Sequence, residues 1–338
     1  MIVLACSATG GHVYPAIAVN DFLADEKTCF VTDKGRISET IISSYNYSYV
    51  ALDFRKNKGL ALGISFLKMI RFFFKHKPKL VLGFGGITTI PVVIVARLFG
   101  VKTILFEQNA LIGRTNKFLS YIADQLWLSY QPINTSNCNT KKLLGNPVRA
   151  TYIENSSDTD IFSIPFKAKK KCLIFGGSQG ALHLNRFIES MYPWFEANSI
   201  AIVHVLGDRD YKKKGYDADY RVIKNDQGDS IGVEARFIQD MKLAYSWADF
   251  VISRAGGTSI AELIYFKKPA LLVPFKYATD NHQYYNAKVL SDVGMAMCVS
   301  EDDLSLSYVD AFFNKKFNCD TKKFEYFEGW KDALTQEI

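Results

Sequence analysis

No uninterrupted apolar stretch in these 338 residues reaches the roughly 18–20 residues that span a bilayer. The longest candidate, Ile90 to Phe106, is broken by Arg97 and Lys102. The run Ile2-Val3-Leu4-Ala5-Cys6 is short and has no basic segment before it, so no signal peptide is expected. Cysteine is sparse. Cys6, Cys29, Cys138, Cys172, Cys298 and Cys319 form no Cys-x-x-Cys pair, and several sit inside apolar runs. That pattern reads as reduced core thiols of a cytosolic protein. Zinc spacing is absent. The five histidines, His12, His76, His183, His204 and His282, stand far apart, so no metal site and no cofactor are expected. A composition of 48% apolar and 22% charged residues excludes a disordered chain. The net charge of +7 is compatible with a nucleic acid, an anionic membrane or a phosphorylated substrate. The basic residues are dispersed and no nucleic-acid module appears, so a nucleic-acid partner is not expected.

What is present is alternation. The first half reads as strands at 2–6, 28–32, 47–52, 79–83, 102–106 and 125–129, with helices at 13–25, 36–44, 60–76, 88–99 and 114–123. Periodicity fades between Asn146 and Lys171, then restarts. The second half reads as strands at 172–176, 200–206, 233–237, 249–253, 270–274 and 296–299, with helices at 181–196, 240–247, 257–266, 281–293 and 303–314. This predicts an α/β chain of two doubly wound parallel-sheet domains. The expected boundaries are 1–155, a linker at 156–168, a second domain at 169–315, and a tail at 316–338 whose helix packs back on the first domain. Both halves open with a strand and a glycine turn: Ala8-Thr9-Gly10-Gly11-His12 and Gly176-Gly177-Ser178-Gln179-Gly180. In open α/β sheets ligands sit beyond the strand carboxyl ends, so two such domains would line one cleft with glycine loops.

Further stretches share that strand-end position. They are Gly83-Phe84-Gly85-Gly86, Glu107-Gln108-Asn109, Gly145-Asn146-Pro147-Val148-Arg149 and Arg254-Ala255-Gly256-Gly257-Thr258-Ser259-Ile260-Ala261-Glu262. A glycine turn that opens a helix offers N–H groups and a positive dipole end to a phosphate. Glu262 lies in the first turns of such a helix, where a carboxylate can either accept from a ribose diol or serve the helix terminus itself. His12 has a side chain whose ordinary pKa, near ~6.5, suits proton transfer.

Taken in order, the segments Thr9-Gly10-Gly11-His12-Val13-Tyr14-Pro15, Glu107-Gln108-Asn109, Gly145-Asn146-Pro147-Val148-Arg149, Gly176-Gly177-Ser178-Gln179-Gly180-Ala181 and Pro274-Phe275 … Thr279-Asp280-Asn281-His282-Gln283 … Asn286-Ala287 resemble the MurG family. These are bacterial enzymes that convert lipid I to lipid II in peptidoglycan synthesis. The resemblance runs from about residue 1 to 300 and is weak over 207–230 and after 314. It implies the GT-B architecture of two Rossmann-like domains. It also implies inverting transfer of GlcNAc from UDP-GlcNAc to the C4 hydroxyl of the MurNAc of lipid I. The donor residues carried over are Thr9, Gly10, Gly11, Asn109, Arg149, Ser178, Ile238, Gly257, Thr258, Ser259, Ile260, Ala261, Glu262 and Gln283. Gly83, Gly85 and Gly86 are candidates for the acceptor pyrophosphate. His12 is the expected general base, with positioning of the glycine turn or acceptor phosphate as the other reading. The sequence departs from the family at Ser7 and Ala8 (usually glycines), at Phe106 (usually histidine), and at Ile87-Thr88-Thr89, where aromatic and small residues are usual.

A lipid-linked acceptor requires contact with a membrane. In the segment from Leu60 to His76, Lys68, Arg71 and Lys75 share one helical stripe, and apolar residues fill most of the rest. Phe66, Lys68, Ile70, Arg71, Phe73, Phe74 and Lys75 are the expected membrane patch of a peripheral enzyme on the cytoplasmic face of the plasma membrane. The alternative is a helix that only packs on the sheet. The resemblance implies UDP-GlcNAc, lipid I and an anionic inner leaflet as partners, with cell-wall synthesis and division proteins beyond them. Other readings are a different GT-B glycolipid glycosyltransferase, a UDP-GlcNAc 2-epimerase and a non-catalytic cell-wall scaffold.

Overall fold

The apolar runs become parallel strands buried on both faces, which is why they read as continuous rather than alternating hydrophobic stretches. The computed structural model describes residues 1–7, 10–55, 58–149, 158–164, 166–177, 180–216 and 218–338. The chain divides into two units, Met1–Arg149 with Phe324–Ile338, and Ala150–Lys323.

Unit 1 runs β1 (Ile2–Ala5), α1 (Gly10–Phe22), β2 (Thr28–Asp33), α2 (Ile37–Ser44), β3 (Tyr49–Leu52), α3 (Lys58–His76), β4 (Leu80–Gly83), α4 (Thr89–Leu98), β5 (Lys102–Glu107), α5 (Arg114–Leu119), β6 (Gln125–Leu128) and β7 (Thr140–Leu143). Its sheet is parallel, in the order β3-β2-β1-β4-β5-β6-β7. Alternate residues serve opposite faces. Ile2, Leu4, Leu80, Leu82, Ile104 and Phe106 pack under α1 and α2. Val3, Ala5, Val81, Leu105 and Leu126 pack under α3 and α4.

Unit 2 runs α6 (Asp158–Ser163), β8 (Lys170–Phe175), α7 (Leu182–Ser190), α8 (Tyr192–Ala197), β9 (Ile200–Val205), α9 (Asp208–Lys213), β10 (Tyr220–Lys224), β11 (Ser230–Ala235), α10 (Met241–Trp247), β12 (Phe250–Ser253), α11 (Gly257–Tyr265), β13 (Ala270–Leu272), α12 (His282–Ser291), β14 (Ala296–Cys298) and α13 (Leu306–Asn314). The sheet order is β10-β11-β9-β8-β12-β13-β14, parallel except for β10, which runs antiparallel to β11.

The structure adds elements that the patterning missed. β7 and β10 are short edge strands carrying Lys141, Lys142, Arg221 and Lys224, whose charges interrupt the apolar run that marks a central strand. The single helix expected at 181–196 breaks at Met191, and Pro193 lies in the first turn of α8. The stretch expected to be a linker at 156–168 contains α6. The rings of Phe162 and Phe166 pack 5.9 and 5.7 Å from Trp247.

Of the expected tail at 316–338, the part from Phe324 to Ile338 belongs to unit 1, and the second unit extends to Lys323. α14 (Gly329–Thr335) buries Trp330, Ala333 and Leu334 in the cluster beneath α1. Burying a large apolar side chain contributes roughly 1.5–3 kcal/mol, enough to hold so short a helix. Glu337 accepts from Gln125 Nε2 at 2.7 Å and pairs with Lys102. The glycine of the Gly145–Arg149 motif is explained here. Gly145 has φ +81°, and a Cβ on it would stand 2.1 Å from the Phe327 carbonyl oxygen.

Candidate active site

In unit 1 the sheet order reverses direction between β1 and β4, and ligands of such sheets bind at that switch point. Gly10 and Gly11 do not form a separate turn. They open α1, three residues earlier than the periodicity indicates. His12 therefore sits in the first helical turn, half-buried. Its Nδ1 lies 2.9 Å from the Ser7 carbonyl oxygen. A carbonyl only accepts, so Nδ1 carries a hydrogen, and of the two neutral tautomers the one that fits has its lone pair on Nε2.

The loop after β4 supports that ring. Gly85 and Gly86 adopt φ +95° and +82°. A Cβ on Gly85 would stand 3.4 Å from His12 Nε2, and one on Gly86 would stand 1.6 Å from Ser7 Oγ. Only glycine fits at Gly86, on both steric and backbone grounds. The Thr89 hydroxyl donates to the Gly85 carbonyl at 2.8 Å, and the buried Thr88 hydroxyl donates to Asp33. Thr88 and Thr89 thus point inward and brace the loop. Phe106 likewise faces the core, stacked on Phe84 with ring centroids 4.7 Å apart. Ala8 lies outside the described residues, and among the described departures from the family pattern Ile87 is the one left partly exposed. Gly83 is buried, and a Cβ there would meet the Thr89 methyl at 2.6 Å, so packing alone demands glycine.

Glu107 is 2% exposed. Its Oε1 accepts from the backbone N–H and side-chain amide of Asn109, both at 3.1 Å. Its Oε2 accepts from the Gly113 N–H and Asn116 Nδ2, both at 2.9 Å. The carboxylate organises the 108–113 loop and places Asn109. Arg149 donates to the Tyr45 hydroxyl at 2.7 Å and lies over its ring.

In unit 2 the switch point lies between β8 and β12. Gly177 and Gly180 take φ +94° and +79°, and a Cβ on Gly180 would meet the Leu206 carbonyl oxygen at 2.4 Å. α11 begins at Gly257 behind Gly256, an N-cap residue without a side chain. Thr258 and Ser259 are partly exposed in its first turn, while Ile260 and Ala261 point into the core, leaving only their backbone for a ligand. Glu262 accepts a hydrogen bond from the Tyr245 hydroxyl at 2.9 Å. Burial and the nearby Glu262 charge hold the Tyr245 phenol well above its ordinary pKa, so it stays a donor. Ile238 is buried between β11 and α10. Gln283, on α12, accepts from the Phe275 N–H at 2.9 Å. Asp280 and Asn281 precede it with φ +53° and +55°. Thr9 and Ser178 lie outside the described residues.

Tyr245 escaped the sequence reading, and Asn286, quoted in the family motif without a role, donates its amide to the Ala255 carbonyl at 3.0 Å. His204 is fully buried, with Nδ1 2.9 Å from the Tyr192 hydroxyl, and burial pushes its pKa down to about 3. The sequence also carries Asp-x-Asp triplets at 158–160, 208–210 and 217–219, a spacing able to hold a divalent ion that the metal-free expectation passed over. Asp208 pairs with Lys212 and Arg236, and Asp210 with Arg209. No group of three or more acidic, His or Cys residues able to hold a metal occurs among the described residues.

α3 faces two ways. Ser65, Met69 and Phe73 are buried, and Phe66 and Ile70 pack partly against the same cluster. Phe73 was expected in the surface patch and is instead core, 0% exposed. The outer apolar residues are Leu60, Ile64, Leu67 and Phe74, each more than half exposed, beside exposed Lys68, Arg71 and Lys75. No described helix is long and apolar enough to cross a membrane.

The first domain matches the model of the glycosyltransferase family 28 N-terminal domain over residues 2–127, and the second that of the glycosyltransferase family 28 C-terminal domain over 171–325. The chain is 31% identical to the UDP-N-acetylglucosamine--N-acetylmuramyl-(pentapeptide) pyrophosphoryl-undecaprenol N-acetylglucosamine transferase of Syntrophus aciditrophicus, covering 90% of this chain and 86% of the relative. It is 33% identical to the enzyme of the same name from Myxococcus xanthus, covering 90% and 81%. The crystal structure of Acinetobacter baumannii MurG superposes with a TM-score of 0.70 at 25% identity, covering 99% of each chain. With both of its halves matched and these relatives aligned over nine-tenths of its length, the chain belongs to glycosyltransferase family 28, among the GT-B enzymes that share the MurG fold.

Proposed function

We propose that this chain transfers GlcNAc from UDP-GlcNAc to the C4 hydroxyl of MurNAc in undecaprenyl-pyrophosphoryl-MurNAc-pentapeptide (lipid I), with inversion, giving lipid II. The observation that carries the chemistry is His12, whose Nδ1 is committed to the Ser7 carbonyl while Nε2 keeps its lone pair. Nε2 takes the proton of the acceptor hydroxyl. The oxygen attacks the anomeric carbon, the bond from that carbon to the diphosphate oxygen breaks, and UDP leaves with the electron pair.

Unit 2 serves the donor. The first turn of α11, with the Thr258 and Ser259 hydroxyls and the dipole of the helix, stabilises the charge that develops on the leaving diphosphate. Ser178 serves the same diphosphate. Glu262, oriented by Tyr245, accepts from the ribose hydroxyls. Backbone groups at Ile238 contact the uracil, and the Gln283 amide contacts the GlcNAc hydroxyls. In unit 1, the N–H groups that open α1 at Gly10 and Gly11 and the Gly85-Gly86 loop serve the acceptor pyrophosphate, while Thr9, Asn109 and Arg149 serve the donor.

The lipid acceptor is met by α3. Leu60, Ile64, Leu67 and Phe74 enter the interface, and Lys68, Arg71 and Lys75 meet anionic headgroups. This makes the enzyme peripheral, on the cytoplasmic face of the plasma membrane. The deciding measurement is UDP release from UDP-GlcNAc with and without a lipid I analogue. Release that depends on the analogue, with a disaccharide product, is expected. Folded protein that releases no UDP would overturn the reading in favour of a non-catalytic scaffold.

A further inference from the structure

The donor half contains a buried ion pair that touches none of the groups assigned to the substrate. Arg254 follows β12 and is 7% exposed, and its partner Glu301 lies in the segment after β14. The side chains of the pair are 8% and 6% exposed. A buried pair of this kind gains little stability over an apolar replacement, because desolvating both charges offsets their attraction. A specific use for it is therefore worth seeking.

The remaining contacts of the guanidinium supply one. Arg254 Nη1 donates to the carbonyls of Val273 and Pro274, at 3.1 and 3.2 Å, while Nη2 is held by Glu301. The Phe275 ring lies over the same guanidinium, 5.5 Å from it. The next group in the chain is the Phe275 N–H, which donates to Gln283 Oε1 at 2.9 Å. The planar fork of an arginine fixes two carbonyls and a carboxylate in one geometry, which a lysine does not reproduce.

We infer that Arg254 and Glu301 are positioning residues for donor-sugar selection, clamping the 273–275 segment so that Phe275 orients the Gln283 amide. With Oε1 accepting from the backbone, the amide is fixed with its NH2 group available to donate to hydroxyl oxygens of the sugar. This rests on the reading above that Gln283 contacts the GlcNAc hydroxyls.

The test compares kcat/KM for UDP-GlcNAc and UDP-GalNAc, which differ in the orientation of one hydroxyl, in wild type, Glu301→Gln, Arg254→Lys, Gln283→Ala and the Gln283→Ala/Glu301→Gln double variant. UDP inhibition constants and melting temperatures are measured alongside. Glu301→Gln is expected to lower the preference for UDP-GlcNAc about tenfold, as a misplaced polar group relaxes selection more than binding. UDP inhibition should not change. The double variant should be no worse than Gln283→Ala alone, because residues acting through one group are not additive. Arg254→Lys should repeat the loss, and it substitutes for Glu301→Gln should that variant not fold.

If Gln283→Ala removes the preference while Glu301→Gln and Arg254→Lys retain it, the clamp is refuted and the Gln283 reading stands. If Gln283→Ala leaves the preference intact, the Gln283 reading itself fails. Equal losses for both sugars and for UDP would make the pair merely structural and overturn the inference.

Discussion

The switch points of the two units lie at corresponding places in their sheets and are built on opposite plans. In unit 1 the polar groups of the loops close on one another. Ser7 holds His12, Thr89 holds Gly85, Thr88 meets Asp33, and Glu107 takes four N–H donors. This mesh selects the His12 tautomer whose lone pair is on Nε2. In unit 2 the support comes from behind. Tyr245 backs Glu262, Phe275 backs Gln283 and Arg254 backs Phe275, while the first turn of α11 carries hydroxyls on consecutive residues. A rigid mesh around a single basic atom suits proton transfer, where geometry governs the rate. A row of supported acceptors and donors suits holding a nucleotide sugar.

The comparison breaks most sharply at His12. His12→Ala and His12→Gln should lower turnover by about 10²–10⁴-fold, the usual contribution of a general base, while UDP-GlcNAc affinity measured by calorimetry is retained. Near-normal turnover would remove the base assignment. Lost donor binding with an intact chemical step would make His12 a positioning residue and erase the contrast between the units.

The outer face of α3 gives the next largest effect. Each basic residue near an anionic surface contributes about 1 kcal/mol, so reversing Lys68, Arg71 and Lys75 to Glu should lower binding to anionic vesicles by at least about a hundredfold in a sedimentation assay. Turnover on a water-soluble lipid I analogue should persist. Unchanged vesicle binding would reduce α3 to a packing helix.

The smallest effect belongs to unit 2. Glu262→Gln should weaken UDP-GlcNAc binding roughly tenfold, the loss of hydrogen bonds to a charged acceptor. The single-turnover rate at saturating donor should hold. A lowered melting temperature with unchanged donor affinity would mean that Glu262 serves only Tyr245.

The sequence by itself determined the parallel centre of each sheet but not its edge strands β7 and β10, because strands buried on both faces must be apolar throughout and helices between them must show a 3.6-residue period. It also located the loops of both switch points, because glycine marks positive φ and close approach at Gly85, Gly86, Gly177 and Gly180. It did not separate glycines required by packing from those open to a ligand. Gly83 answers to Thr89, and Gly145 to Phe327, 182 positions further along the chain. Nor did it reveal which apolar residues of α3 lie outward. A helical stripe defines an angle, and only the packed sheet sets which angle is inside, which is why Phe73 is core and Leu60 and Ile64 are surface.

The tertiary structure alone decided the tautomer of His12, the orientation of the Gln283 amide and the pairing of Arg254 with Glu301. Arg254 meets Glu301 across 47 positions because β12, β13 and β14 lie side by side, whereas Ser7 and Phe275 are near His12 and Gln283 in the chain and become partners only through the path of the folded backbone. Residue types and their spacing do not say which backbone carbonyl or N–H a side chain will face.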